Sequence, residues 1–192
     1  MQGIAKALRD PEVTAAISAY GDAGVALTMV HWSSEPSQVT PWELLVDAES
    51  AERMAYEIER LPRTSLGVTT AIGSAIALSR QLLAANVYNG HRRSIDVSGD
   101  GKNNDGLPIW TERNRTVTDG ITINGLAILN DDSTLDSYYR DHIIGGTNAF
   151  MIAVDDFDDF QQAFRQKLLR EIGSVALGDR GRNSSQFSLQ SD

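Results

Sequence analysis

The sequence contains no cysteine. Disulfide bridges, thiolate nucleophiles and cysteine-ligated zinc are excluded, although this fixes no compartment, because many proteins of oxidising compartments also lack cysteine. Basic residues are scarce: 17 Lys and Arg stand against 26 Asp and Glu, a formal charge of −9. A protein that tracks nucleic-acid phosphates needs a basic face to release counterions, so the charge argues against a nucleic-acid partner. No apolar run approaches the roughly 18 to 20 residues of a membrane span, and the N-terminus lacks the succession of a signal peptide. As written, the chain is expected to be cytoplasmic. A serine-hydrolase elbow is missing, since Val97-Ser98-Gly99 lacks the first glycine of G-x-S-x-G. So is a P-loop, since G-V-T-T-A-I-G lacks the lysine that reaches phosphates. His31, His91 and His142 have no metal-type spacing.

What is present is enough for one core. At 192 residues and 41% hydrophobic content, the chain suits a single domain. Asp10-Pro11 reads as an N-cap with proline at the first helical position, separating two short helices. Val25 to Trp32 is a mostly apolar run suited to an interior strand, and Gln38 to Val46 reads as its antiparallel neighbour, with Pro41 pushing that strand to an edge. A helix follows over Ala48 to Leu61, capped by Asp47, then a loop over 63–70 and a helix over Ala71 to Ala85. Strands are expected at Ser94 to Ser98, Ile121 to Leu129 and Ala149 to Val154, with helices between them. Phe157, Phe160, Phe164, Leu168 and Ile172 mark the apolar face of the last helix. The domain is expected over 1–172, with a disordered polar tail over 173–192. Strands separated by helices argue for an α/β fold with a largely parallel sheet covered on both faces.

The most informative stretch is RRSIDVSGDGKNNDG, residues 92–106. A β-branched run ends in an Asp-Gly pair and a polar loop, which places Asp100 at the C-terminal lip of a strand, where open α/β sheets bind ligands. Asp96, Ser98, Asp100 and Gly101 imitate the opening of a calcium-binding EF-hand loop, but its twelfth position is Leu107 and a strand precedes it. Asp155, Asp156, Asp158 and Asp159 open a helix, where the helix dipole favours carboxylates, so capping is the expected role. Asn103, Asn104 and Asp105 read first as turn chemistry and second as residues that tune ligand contacts. Asp96, if its face is covered, needs a charged or hydrogen-bonded partner.

Thr70 lies in a loop entering a helix, and Asp100 follows 30 residues later at the end of the next strand, so adjacent loops bring both oxygens to one lip. At this point the chain resembles the von Willebrand factor A-like family. Its metal ion-dependent adhesion site joins a D-x-S-x-S motif ending the first strand, a loop threonine, and the aspartate of an Asp-Gly pair ending the fourth. Thr70 matches the second segment and Asp100-Gly101 the third. More narrowly, ALRDPEV, TTAIGSAI, IDVSGDGKNN, GITINGLAIL, LDSYYRDHIIGG and KLLREI resemble, in that order, an uncharacterised bacterial branch, DUF1194, from about Met1 to Ile172.

The resemblance implies a Rossmann-type, mostly parallel sheet with helices on both faces, one antiparallel edge strand and the strand order 3-2-1-4-5-6. It implies Thr70 and Asp100 as metal ligands, Mg²⁺ or Mn²⁺ in the complete domain, and a protein partner of unknown identity bound through an acidic side chain, without enzymatic turnover. Branch members look exported, which implies a native location outside the cytoplasm. The D-x-S-x-S segment is expected just upstream of the first helix, and this chain opens in that helix. D-V-S-G-D at Asp96 to Asp100 ends in aspartate and follows Thr70, so it is not that motif. The expectation is a truncated chain that lacks the central first strand and binds metal weakly or not at all, since two protein oxygens fall short of the about six that Mg²⁺ requires. Unpaired strand edges would leave it weakly stable and open to self-association. Two other readings stay open: a metal-dependent hydrolase with Asp96 and Asp100 as paired carboxylates, and a structural domain without metal chemistry.

Overall fold

The computed structural model describes residues 1–62 and 69–185, the stretch 174–185 as backbone only. Most of the expected loop over 63–70, and the end of the tail, lie outside the described residues. Helices α1 (Gln2–Leu8) and α2 (Pro11–Ser18) meet at Asp10, whose carboxylate accepts from the amides of Glu12 at 2.9 Å and Val13 at 3.4 Å. The cap and Pro11 together start α2.

The apolar run after α2 forms two strands rather than the one expected. Strand β1 (Val25–Leu27) and β2 (Val30–His31) are separated at Thr28-Met29. There the Thr28 hydroxyl donates to the Thr40 carbonyl at 2.7 Å and the Met29 amide donates to the Thr40 hydroxyl at 2.8 Å, so side-chain bonds replace ladder bonds. Its antiparallel partner divides likewise, into β3 (Ser37–Gln38) against β2 and β4 (Glu43–Leu45) against β1, with Pro41 between them. Helix α3 (Ala48–Arg60) begins with a reciprocal cap in which the Asp47 carboxylate accepts from the Ser50 amide and the Ser50 hydroxyl accepts from the Asp47 amide.

The second half alternates as expected: α4 (Ile72–Ala85), β5 (Ser94–Gly99), α5 (Ile109–Thr118), β6 (Thr122–Ile128), α6 (Leu135–Tyr138) running into a π-helical turn at Tyr139–Ile143, β7 (Met151–Val154) and α7 (Phe160–Ser185). Strands β5, β6 and β7 form a parallel sheet in that order, registered from Ser94 opposite Thr122 to Gly99 opposite Ala127. Among the described residues, β1 pairs only with β4 and β5 only with β6. The described strands thus form three separate sheets, β1-β4, β2-β3 and β5-β6-β7.

Side chains alternate across a strand, and β6 shows helices on both faces of the sheet. Ile121, Ile123 and Ala127 join Ile95, Val97, Ile72, Ile76, Leu135 and Tyr139 in one core, under α4 and α6. Leu126 and Ile128 pack on the other face against Ala163 of α7. A separate cluster joins α1, α2, α3 and β4 to Leu168 and Ile172 of α7. Helix α7 thus bridges the sheet and the N-terminal helices, and the Arg165 guanidinium clamps the α2 cap at 2.7 Å from Asp10 Oδ2. Phe157, expected on the face of this helix, lies in the turn before it and is exposed. The α7 backbone runs on through Ser185, so the boundary expected at residue 173 falls within a helix.

Candidate functional site

The C-terminal lip of β5 brings together the loops that sequence spacing pointed to. Asp100 is exposed directly after the strand, and the segment 69–71 entering α4 lies against the loop that follows it. The Thr70 amide donates to Asn104 Oδ1 at 2.8 Å, and the Asn104 amide donates back to the Thr70 carbonyl at 3.0 Å. The Gly73 amide in the first turn of α4 donates to Asn103 Oδ1 at 2.9 Å, and the Thr69 hydroxyl donates to Asp105 Oδ2 at 2.8 Å. A side-chain carbon placed on Gly101 would sit 3.2 Å from Thr70 Oγ1, so the glycine lets the threonine hydroxyl approach the Asp100-Gly101 corner. Asn103, Asn104 and Asp105 therefore cross-link two loops, a long-range role that turn chemistry alone did not suggest.

The floor of the lip comes from α6. The Asn103 amide donates to the Tyr138 hydroxyl at 3.3 Å. Lys102 is drawn sideways to Asp132 at 2.8 Å and to the Thr134 hydroxyl at 2.9 Å. The Lys102 ammonium, with the Thr134 hydroxyl and amide, lowers the Asp132 carboxyl to about 2. Tyr139 is fully buried with its ring against Gly125 and its hydroxyl against Gly99. Three buried hydroxyls in this part of the fold, those of Ser33, Ser98 and Tyr139, have no hydrogen-bond partner among the described residues.

Asp96 does not join Asp100. Four residues of strand separate them by roughly 13 Å at about 3.3 Å per residue, and Asp96 faces α7, where Lys167 Nζ lies 2.9 Å from its Oδ1. Lys167 is fully buried, and so is Asn124, which donates to the Glu171 carboxyl and accepts from the Phe150 amide at 3.1 Å. Burial would raise the Asp96 carboxyl, but the Lys167 charge and a hydrogen bond from Glu171 hold it below the usual carboxylate range. Burial, and then the Asp96 charge, push Glu171 up to about 9. The pair therefore shares a proton, with Asp96 ionised and Glu171 protonated. Asp96 keeps part of its surface exposed at the edge of α7 and takes the buried Lys167 as its charged partner. The acidic cluster lies in the turn before α7 and folds that turn, with Asp156 Oδ1 accepting from the amides of Asp158 at 2.8 Å and Asp159 at 3.4 Å rather than from amides of the helix itself.

As a place for a divalent cation, the lip supplies hard oxygen donors, the Thr70 hydroxyl and the Asp100 carboxylate, at a corner cleared by Gly101. The donor types and the clearance fit Mg²⁺ or Mn²⁺. Among the described residues, no three carboxylate or imidazole groups converge anywhere, which leaves the fit a partial one. An EF-hand geometry is likewise missing: the loop after Asp100 leads into α5 with Leu107 at its twelfth position.

The fold defined by these elements is that of a von Willebrand factor A domain, a likeness that solved structures share. Proximal thread matrix protein 1 from the mussel byssus superposes with a TM-score of 0.62 at 16% identity, covering 88% of this chain and 42% of that one. A further structure of the mussel protein, with a zinc-occupied MIDAS motif, gives 0.58 at 14% identity, covering 88% and 43%. The von Willebrand factor type A protein of Catenulispora acidiphila gives 0.57 at 16% identity, covering 88% and 39%. The conserved hypothetical protein BatB of Bacteroides thetaiotaomicron gives 0.52 at 18% identity, covering 89% and 88%. The chain thus spans less than half the length of the mussel and Catenulispora proteins. A comparison with curated proteins finds no match. Residues 1–176 match the family model described as protein of unknown function, DUF1194, and the chain belongs to that family.

Proposed function

We propose that this domain binds a partner protein through a divalent cation held at the β5 lip by Thr70 and Asp100. The observation that carries the reading is the convergence of the two residues, with Thr70 fixed by its two-way bonding to Asn104 and brought against the Asp100-Gly101 corner. A cation there offers a Lewis-acid position to an acidic side chain of the partner. Thr70 and Asp100 supply two of its oxygens, and Asn103 and Asn104 hold the loop that carries Asp100 against the start of α4. Mg²⁺ or Mn²⁺ is the expected ion from the hardness of the donors, and binding rather than turnover is the expected activity. The hydrolase alternative loses its support because Asp96 is engaged by Lys167 on the face under α7.

The test is fluorescence polarisation of short labelled peptides containing glutamate or aspartate, with Mg²⁺ or with chelator. Binding that needs the metal and disappears in Asp100→Ala supports the reading; binding insensitive to chelator and to Asp100→Ala overturns it. The outer edge of β5, unpaired among the described residues, also suits a strand from a second chain. Self-association at that edge is checked by sedimentation across a range of concentrations. Members of the family look exported, which favours a location outside the cytoplasm. Cell fractionation of the native host tests that. Among the described residues, no helix is long and apolar enough to cross a membrane.

A further inference from the structure

Tyr139 sits in a slot built for it. Its ring lies against Gly125 of β6, where an added side-chain carbon would come within 3.0 Å of Tyr139 Cδ1, and its hydroxyl lies against Gly99 of β5, where the same carbon would come within 2.9 Å of the phenol oxygen. Two side-chain-free positions on adjacent strands thus clear a path for a ring that delivers its hydroxyl one residue before Asp100. The side chain is fully buried, and the hydroxyl has no hydrogen-bond partner among the described residues.

A phenylalanine would fill this slot and spare the loss of hydration that a buried hydroxyl suffers when it gains no bond. The neighbouring Tyr138 differs, because its hydroxyl accepts from the Asn103 amide and is used by the fold itself. Burial first, and the negative charge of Asp100 second, push the Tyr139 phenol above its ordinary range, so it stays a neutral donor and lies within electrostatic reach of that carboxylate. Carboxylates that bind metals commonly take a second hydrogen bond that fixes the oxygen not facing the ion.

We propose that Tyr139 is a positioning residue of the Asp100 site, its hydroxyl donating to the Asp100 carboxylate when a divalent cation is bound. The inference rests on the cation reading given above and deepens it. The hydroxyl has no partner among the described residues, so its removal is expected to spare the fold and to weaken the cation site.

The test compares the whole chain with its Tyr139→Phe variant by thermal melting without metal and by Mn²⁺ titration followed by electron paramagnetic resonance, which detects weak sites. Tyr139→Phe is expected to melt at the same temperature as the parent or higher, and to bind Mn²⁺ about tenfold more weakly. A purely structural tyrosine would lower the melting temperature and leave metal affinity alone. A lower melting temperature, or a variant that does not fold, overturns the proposal, because the hydroxyl would then have a partner in the metal-free fold. Equal Mn²⁺ affinity in parent and variant overturns this inference and leaves the cation site standing. A parent chain that binds no Mn²⁺ overturns both.

Discussion

Thr70 and Asn104 are bonded to each other in both directions, the Thr70 amide to Asn104 Oδ1 at 2.8 Å and the Asn104 amide to the Thr70 carbonyl at 3.0 Å. Residues 34 positions apart in sequence thereby act as one unit at the lip of the sheet.

Asn104→Ala removes one of the two bonds. A hydrogen bond of this kind contributes about 1 kcal/mol, and urea unfolding of the variant is expected to show a loss of that size. Asn104→Asp keeps an acceptor for the Thr70 amide and is expected to recover most of it. Equal losses in both variants would show that the side-chain acceptor is not what holds Thr70.

Gly73 is a second fixed point. A side-chain carbon there would lie 2.1 Å from the Leu107 carbonyl oxygen, a backbone atom that cannot turn aside. Gly73→Ala is expected to destabilise by about 1 to 3 kcal/mol through overpacking, and to push the 103–108 loop away from α4. Gly101→Ala meets the Thr70 side chain, its hydroxyl at 3.2 Å and its methyl at 3.6 Å, and is expected to cost less stability and more metal affinity. Thermal melts and Mn²⁺ titrations of the two variants separate these outcomes.

The proton shared under α7 sets a pH dependence. Glu171 is raised to about 9 from an ordinary value of 4.5, so the folded chain holds this proton more tightly than the unfolded one. Its contribution to stability is complete below pH 4.5 and declines through the window up to about 9, where it is lost. Asp96, held below its ordinary value, works in the opposite sense: its contribution is present above the ordinary carboxylate value and lost as pH falls through the lower one. Between pH 5 and 9, urea unfolding of the parent is therefore expected to lose stability relative to Glu171→Gln, by up to about 1.4 kcal/mol per pH unit. Parallel curves for the two proteins would show that Glu171 is not protonated in the fold.

The sequence made some of this legible and hid the rest, for reasons visible in particular residues. Thr70 and Asp100 stood out because each lies in a short motif beside a strong element boundary. The parallel strands were plain from uncharged, largely apolar runs such as TINGLAI, which is buried throughout. The division of β1 from β2 was not visible, because it depends on the Thr40 hydroxyl, a side chain 11 residues away from Met29. Lys167 and Glu171 drew no expectation from the sequence. Their signal was their spacing of four residues beside Phe164, Leu168 and Ile172, which puts both on the edge of the buried stripe of α7. The expected partners of Asp96 lay on the last helix, 71 residues away at Lys167, and no local pattern announces a contact of that length. Tyr139 was hidden for the same reason: nothing near it in sequence shows the glycines at 99 and 125 that receive it.

Mn²⁺ titration of the chain, observed by electron paramagnetic resonance and repeated on Thr70→Ala and Asp100→Ala, tests the central claim most directly. One weak site, lost in Asp100→Ala and strongly reduced in Thr70→Ala while both variants remain folded by circular dichroism, is the predicted result. Binding that is the same in all three proteins, or absent from the parent, would contradict a cation site built on these two residues.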